Sequence, residues 1–254
     1  MAVRVAVRAA RTMSAWHAVA RRPTPALAQR LLSGRLVPVP ARVLAGKGDR
    51  GFAAGADAAA PATMFASGAT NVGKLAGAIA AQLRSGTSSD GGLAIRTAGG
   101  QAAHAALKAL AIADRHVQPL LPGRSLGVLP SKHSYPREDG GTTHELLLQI
   151  HAVPEVSCPE RPDLTTAHDT NVGIFAGEIQ RGLRSSKVLC VGCMGPRSVN
   201  NALKAALLAQ TYRRKDGEEG DFAMVPLVQT FQATNGERTR TILACVPLES
   251  GASE

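Results

Sequence analysis

The spacing of apolar residues predicts the same helix twice, one hundred residues apart. In both segments three apolar side chains lie four residues apart, on one face of an α-helix: Leu75, Ile79, Leu83 and Phe175, Ile179, Leu183. The segments 69–85 and 169–185 are identical at ten of seventeen aligned positions. Identity at this level across a fixed interval indicates that the chain repeats one structural unit.

The rest of the pattern is also repeated and alternates strands with helices. A short strand precedes each helix, and a second strand, at 93–98 or 188–193, follows it. An Ala-rich helix and two long strands joined by a Gly-bearing turn complete each copy. Further matches are ALKAL with ALKAA and HAVP with ACVP, at 106–110, 202–206, 151–154 and 244–247. The pattern predicts an α+β fold with β-α-β-α-β-β order in each copy.

These patterns divide the chain into four segments. A basic region at 1–60 precedes the first unit at 61–155, and a linker at 156–166 leads to the second unit at 167–254. The linker region is rich in proline, which suits an extended connection.

The first helix of each unit carries capping residues and an interior glycine. Candidate N-caps are Thr70 or Asn71, and Thr170 or Asn171. Gly77 and Gly177 weaken their helices, so we expect them to permit a close backbone approach.

The segment Gly68 to Lys74 has most of a nucleotide-binding P-loop, with Gly68, Gly73 and Lys74 at the required spacing. Leu75 stands where that motif needs a hydroxyl for magnesium. The second copy loses both signature positions, since His168 replaces Gly68 and Ile174 replaces Lys74. We therefore interpret the segment as a capped helix start, with a weak anion site at the helix N-terminus as the alternative.

Charge is concentrated in the first sixty residues. The chain has a net charge of +10, and residues 1–60 hold ten Lys or Arg against two Asp, leaving nineteen basic and seventeen acidic residues in the rest. Arg residues spaced through Ala, Val and Leu, with no acid before Asp49, are typical of a mitochondrial transit peptide. The alternatives are a chloroplast address and a retained basic extension of the kind that contacts ribosomal RNA.

Candidate catalytic and metal chemistry is sparse. Cys190 and Cys193 have C-x2-C spacing, and Cys158 and Cys245 would complete four zinc ligands. The first copy has Ala94 and Thr97 at the matching positions, so we expect buried thiols and neither a metal nor a cofactor. No Ser-His-Asp group or paired carboxylate stands out, so we expect a protein that is not an enzyme.

The two helices of each unit resemble those of stage V sporulation protein S (SpoVS), a bacterial family within the Alba-like superfamily. AGAIAAQLR and AGEIQRGLR resemble its first helix, and GPRSVNNALKAALLA resembles its second. The resemblance covers residues 65–254. The first copy departs from the family pattern at His104, where the family has the Asn that Asn200 retains.

The resemblance implies two tandem Alba-like domains, each a small mixed sheet with two helices on one face, that form a pseudo-dimer within one chain. It also implies that these domains bind nucleic acid through three regions. These are the loop before the first helix, the second helix and the protruding ribbon of two strands. The nucleic-acid-binding residues it implies are Thr70, Asn71, Lys74, Lys108, Lys132, His133, Arg137, Thr170, Asn171, Arg197, Asn200, Lys204, Arg238 and Arg240.

Two functions remain open from the sequence. The first is a non-enzymatic RNA-binding protein of the mitochondrial matrix, a ribonucleoprotein component with the mitochondrial ribosome as the sharpest hypothesis and ribosomal RNA as partner. The second is a structural subunit of a large mitochondrial assembly, such as a respiratory complex, that reuses the fold without nucleic acid. The nearly neutral duplicated region favours the second, whereas the resemblance and the basic extension favour the first.

The run Arg213 to Lys215 is followed by acids, so we interpret it as a solvated loop.

Overall fold

The computed structural model of the chain describes residues 62–86, 92–136, 140–157, 159–218, 220–234 and 236–248. The predicted leader at 1–60 lies outside the described residues. The first unit consists of β1 Ala62–Ala66, α1 Val72–Ser85, β2 Leu93–Thr97, α2 Gly99–Val117, β3 Arg124–Pro136 and β4 Thr142–Pro154. The second unit consists of β5 Leu164–Thr166, α3 Val172–Ser185, β6 Leu189–Cys193, α4 Gly195–Lys215, β7 Phe222–Ala233 and β8 Gly236–Pro247. The predicted order of elements is confirmed in both units.

The two units share one eight-stranded sheet in the order β1-β2-β4-β3-β7-β8-β6-β5. Within each unit the first two strands are parallel and the long strands form an antiparallel ribbon. The half-sheets join edge to edge through β3 and β7, which pair antiparallel at Val128 and Met224. The predicted α+β pseudo-dimer is therefore confirmed, with two sheets merged into one.

All four helices lie on one face of the sheet and enclose a core common to both units. Small residues dominate the second helices, where Ala106, Ala109, Ala206 and Ala209 are fully buried. Small side chains let α2 and α4 pack against each other as well as against the sheet. With few large rings available, close packing of alanine supplies much of the buried apolar surface.

The opposite face of the sheet, here called the open face, differs between the units. In the second unit it carries a small apolar cluster that includes Cys190, Val225, Ile242 and Ala244. Val156 of the linker packs against this cluster. The described linker residues 155–157 and 159–163, here called the strap, thus lie over the second unit's open face.

Specific contacts hold the strap in place. The Gln229 amide donates to the Pro159 carbonyl at 2.9 Å, and the Arg240 guanidinium donates to the Glu160 carbonyl at 2.9 Å. The Cys190 N–H donates to the Asp163 carboxylate at 2.7 Å. A Cβ at Gly192 would lie 2.8 Å from Cγ of Pro162, so only glycine fits below the strap. The region predicted as a linker is therefore also a covering element, and its end forms strand β5.

The expectation for Gly77 and Gly177 was wrong. A Cβ at either position would meet nothing within 4 Å. In α3 a close approach occurs five residues later, at Gly182, where a Cβ would lie 2.7 Å from Cδ1 of Leu189.

The predicted match between HAVP and ACVP is also shifted by two residues. Pro130 and Pro226 occupy the same position in β3 and β7. Pro130 pairs with Leu148 and Pro226 pairs with Leu243, so Leu148 of β4 corresponds to Leu243 of β8. A shift of two residues leaves every side chain on the same face of a strand, so the apolar pattern does not detect it.

Candidate nucleic-acid interface

Local hydrogen bonds fix the loop before the first helix of each unit. Asn71 Oδ1 accepts from the Lys74 N–H at 3.0 Å, and Asn171 Oδ1 accepts from the amides of Gly173 and Ile174. The capping prediction is confirmed for both Asn residues. Thr70 Oγ1 accepts from the Ser67 N–H at 2.7 Å, and Thr170 makes the same contact with Ala167. All four side chains therefore shape the loops they occupy.

The loops rest on the starts of the second helices. Asn201 Nδ2 donates to the carbonyls of Ala167 and His168, at 3.1 and 3.2 Å. In the first unit a Cβ at Gly68 would lie 3.3 Å from Cβ of Gln101, at the start of α2. Asn201 was not among the predicted residues, and its place in the second-helix motif next to Asn200 was the available signal.

The starts of α2 and α4 meet between the units. A Cβ at Gly100 would lie 2.9 Å from the Pro196 carbonyl oxygen and 3.3 Å from Cβ of Asn200. Neither helix has a side-chain cap, in contrast to α1 and α3. The two loops and the two second-helix starts therefore form one continuous surface, here called the helix-start surface, which comprises residues 67–74, 99–108, 167–174 and 195–204.

Four of the predicted cations lie on the helix-start surface and are exposed: Lys74, Lys108, Arg197 and Lys204. Among the described residues, no carboxylate lies within ion-pair distance of any of them. Asn200 is half-buried at the contact between the units, so it packs as well as facing this surface. The unpaired cations are free to attract an anionic partner.

The densest basic run of the duplicated region is neutralised by acids. Arg213 to Lys215 form the last turn of α4, so the prediction of a solvated loop was wrong. Arg213 pairs with Glu218, and Arg214 pairs with Asp221 at 2.7 Å. Arg184, at the end of α3, pairs with Asp216 and Glu218. The cations at the helix ends are thus paired with acids, whereas the four cations at the helix starts have no described acid in ion-pair distance; the one acid on that surface, Asp169, lies beside His168.

His104 does not add to the positive charge of the helix-start surface. Partial burial, and then the charge of Lys108 one turn away, lowers the pKa of His104 below its usual value. The imidazole is therefore neutral at neutral pH and acts as a hydrogen-bonding group. The first unit has this neutral ring where the second has the Asn200 amide.

The first ribbon, residues 131–136 and 142–147, carries two of the predicted residues. Lys132 and His133 are exposed and lie on opposite faces of β3, because successive side chains of a strand alternate. Arg137 lies outside the described residues. The predicted ribbon site of the first unit is therefore split between the helix side and the open face.

A charged cluster that the sequence did not reveal occupies the open face of this ribbon. Glu145 is buried and accepts two hydrogen bonds from Arg96, at 2.9 and 2.8 Å, and one from the Tyr135 hydroxyl at 2.6 Å. Burial alone would raise the pKa of Glu145, but the hydrogen bonds from Tyr135 and Arg96 and the Arg96 charge outweigh it and lower the pKa. The carboxylate is therefore a stable anion.

The second ribbon, residues 228–234 and 236–241, places Arg238 and Arg240 on the open face beside Phe231. Arg238 is exposed and directly opposite Phe231 in the strand register. The Arg240 guanidinium lies 4.8 Å from the Phe231 ring centroid and donates to Gln229 at 2.7 Å. Because Arg240 also holds the strap, its guanidinium is fixed in place, whereas Arg238 is exposed to solvent.

The cysteines do not form a common site. Cys190 and Cys193 project from opposite faces of β6, one into the open-face cluster and one into the main core. Burial raises the pKa of the Cys193 thiol to about 12. The expected burial is confirmed for Cys190, Cys193 and Cys245, and Cys158 lies outside the described residues. Among the residues that the structure describes, no group of three potential ligands is close enough to hold a metal.

The family relationship follows from comparison with known protein families. The model of the family described as stage V sporulation protein S (SpoVS) matches the chain twice, at residues 62–139 and 163–247. The chain belongs to the SpoVS family. The first SpoVS match spans β1 to β3 of the first unit and the second spans β5 to β8, so the predicted tandem duplication is confirmed. A search of curated proteins gives no match.

The first SpoVS match ends before β4, whereas the second continues through β8. The strand that carries Glu145 is therefore outside the matched part of the first unit. None of the helices in the described part of the chain is long and apolar enough to cross a membrane.

Proposed function

We propose that this tandem SpoVS-like protein is a non-enzymatic RNA-binding protein of the mitochondrial matrix, acting in a ribonucleoprotein such as the mitochondrial ribosome. The observation that carries the proposal is the helix-start surface. It keeps Lys74, Lys108, Arg197 and Lys204 without acidic partners among the described residues. Exposed cations that lack carboxylate partners are available to neutralise phosphates.

The arrangement favours binding of an extended phosphate backbone over binding of a small molecule. The cations belong to both units, and the uncapped starts of α2 and α4 adjoin between them. Free amide groups at a helix start add a partial positive charge to the same surface. The composition of residues 1–60 supports the mitochondrial address.

The proposal is tested by the salt dependence of binding to labelled RNA, measured by fluorescence anisotropy. The double variant Arg197→Gln/Lys204→Gln should bind several-fold more weakly, and its salt slope should fall by about 1.4, at roughly 0.7 for each lost phosphate contact. The matched control is Arg181→Gln/Lys187→Gln, which removes two exposed charges elsewhere in the second unit. Equal affinities for the two double variants would contradict the proposed surface.

One observation favours the alternative function as a structural subunit of a large assembly. Ile174 and Met194 are 67% and 52% exposed at the helix starts of the second unit, and Ile174 takes the place of Lys74. Exposed apolar side chains of this size are typical of protein contacts. Under this alternative the wild-type protein would bind no RNA, and its sedimentation in an organelle lysate would not change after ribonuclease treatment.

A further inference from the structure

The two ribbons place an aromatic ring at the same position. Tyr135 lies five residues after Pro130, and Phe231 lies five residues after the corresponding Pro226. Both rings project from the open face, since they alternate with the residues that face the helices. The whole chain has only eight aromatic residues, one Trp, two Tyr and five Phe, so two at one position set this place apart.

In the first ribbon the ring is engaged by a buried carboxylate. The Tyr135 hydroxyl donates to Glu145, and Arg96 lies 5.6 Å from the Tyr135 ring centroid while donating to the same carboxylate. The Arg96 charge is therefore neutralised where it meets the ring. Because Arg96 and Glu145 compensate each other, the pair offers no net positive charge beside this ring to attract a phosphate.

In the second ribbon the corresponding ring has no hydroxyl, one cation over it and a second cation directly opposite in the strand register. Arg240 replaces Glu145 in the strand register and lies over the ring, where Gln229 and the Glu160 carbonyl fix it. Arg238 projects from the neighbouring strand, exposed and without a described carboxylate in ion-pair distance. Phe231 itself is partly exposed. The two ribbons thus differ in charge around equivalent rings, with a neutral ion pair beside Tyr135 and a net positive charge beside Phe231.

We propose that Phe231 is a stacking platform for an unpaired base of single-stranded RNA, with Arg238 binding the adjacent phosphate and Arg240 acting as a positioning residue for the ring. The inference rests on the proposed function and assigns a preferred form of RNA to it. An aromatic ring beside an exposed cation is an arrangement that holds single strands, because every base offers a π-face. Paired bases in an RNA duplex are stacked on one another and do not reach such a ring.

The test compares the two equivalent rings in the full-length protein. Affinities for a labelled oligouridine and for a labelled RNA duplex are measured by fluorescence anisotropy for the wild type, Phe231→Ala, Phe231→Leu and Tyr135→Ala. We expect Phe231→Ala and Phe231→Leu to bind oligouridine roughly tenfold more weakly, in proportion to the loss of one base stack, and to bind duplex normally. Tyr135→Ala should bind oligouridine as the wild type does. Circular dichroism melting of each variant reports whether it is folded, and Phe231→Leu keeps the apolar volume if Phe231→Ala unfolds.

The outcomes separate this inference from the proposed function. Weaker oligouridine binding by both Phe231 variants, with unchanged salt slopes, supports the stacking role, since stacking releases no counterions. Wild-type affinity in both Phe231 variants, or an equal loss in Tyr135→Ala, overturns the inference and leaves RNA binding by the helix-start surface intact. A wild-type protein that binds neither RNA overturns both.

Discussion

The two units of this protein have matching helix sides and contrasting open faces. On the helix side both first helices begin at a capping Asn, and both second helices carry a Lys in the same place, at Lys108 and Lys204. On the open face the first unit has the Arg96–Glu145 ion pair, whereas the second has an apolar cluster under the strap. The two units therefore share the helix caps and the second-helix Lys on the helix side, whereas their open faces have different chemistry.

The strap explains much of the difference. It passes over β6 at Gly192, and the residue of the first unit in the same strand position is Arg96. A side chain at Gly192 would occupy the space of Pro162, whereas Arg96 is free to reach Glu145. The strap thus favours glycine and apolar residues in the unit that it covers, whereas the first unit, which no described segment covers in this way, has charged residues instead.

The largest expected effect comes from placing an arginine, the residue that the first unit has at Arg96, at the matching position Gly192 of the second unit. Gly192→Arg places a long side chain where Pro162 lies, so we expect the free energy of unfolding to fall by about 3 kcal/mol as the strap is displaced. Urea denaturation measures the loss, and limited proteolysis should show faster cleavage within the strap. The control Lys187→Arg, an exposed position in the same unit, should change neither. An intact strap with unchanged stability would contradict the packing at Gly192.

The next largest effect concerns the buried carboxylate of the first unit. Glu145→Ala leaves Arg96 and Tyr135 without their shared acceptor, so we expect a loss of about 2 kcal/mol in the free energy of unfolding. The pKa of Glu145 is lowered in the folded protein, so its contribution is fully present above the ordinary glutamate pKa and is lost as pH falls through the lower, folded value.

The pH dependence provides the control for this variant. The stability difference between wild type and Glu145→Gln should shrink as the pH is lowered from neutral into the acidic range below about 4.5. A difference that stays constant over this range would show that the carboxylate charge is not what stabilises the cluster.

The duplicated elements could be predicted from the sequence because their signals are local. The i, i+4 spacing and the Asn caps depend on neighbouring residues. Both helices are confirmed, with their apolar residues buried and with Asn71 and Asn171 as N-caps. The register of β4 and β8 could not be predicted, because a shift of two residues preserves the faces. Contacts over long separations, such as Arg240 with the strap and Arg96 with Glu145, also left no local signal.

The candidate site also has features that the sequence predicted and features that only the structure reveals. Lys108 and Lys204 were found because the second helix is repeated, and the structure places both on the helix-start surface. The neutralisation of Arg213 and Arg214 depends on how the chain folds back at the end of α4, so composition alone suggested a solvated loop. Arg240 was predicted as a binding residue, and only the structure reveals that it holds the strap.

A smaller effect compares the two capping residues. Asn171→Ala removes an acceptor for two amides and Asn71→Ala removes an acceptor for one, so we expect losses of about 1 kcal/mol, with the larger loss for Asn171. Thermal unfolding followed by circular dichroism measures both. Asn→Asp variants serve as controls, since aspartate also caps helices. A larger loss for Asn71→Ala would contradict the observed hydrogen bonding.

The smallest expected effect on stability comes from replacing helix glycines with alanine, and its sign differs between two positions of α3. Gly177→Ala adds a methyl group in open space, so it should stabilise the protein by about 0.5–1 kcal/mol through helix propensity, and Gly77→Ala should do the same. Gly182→Ala should destabilise it, because its Cβ would overlap Leu189. Stabilisation by Gly182→Ala, measured by urea denaturation, would show that α3 can move away from β6.

The central claim is that this SpoVS-like pair binds RNA, and crosslinking in intact mitochondria tests it most directly. Cells expressing the full-length protein are irradiated, and the organelle lysate is sedimented with and without ribonuclease, with Arg197→Gln/Lys204→Gln beside the wild type. The account predicts that the wild type crosslinks to RNA, sediments with a particle that ribonuclease disperses, and loses most of its crosslinking in the variant. A protein that does not crosslink and sediments identically after ribonuclease would contradict RNA binding and favour the structural-subunit alternative.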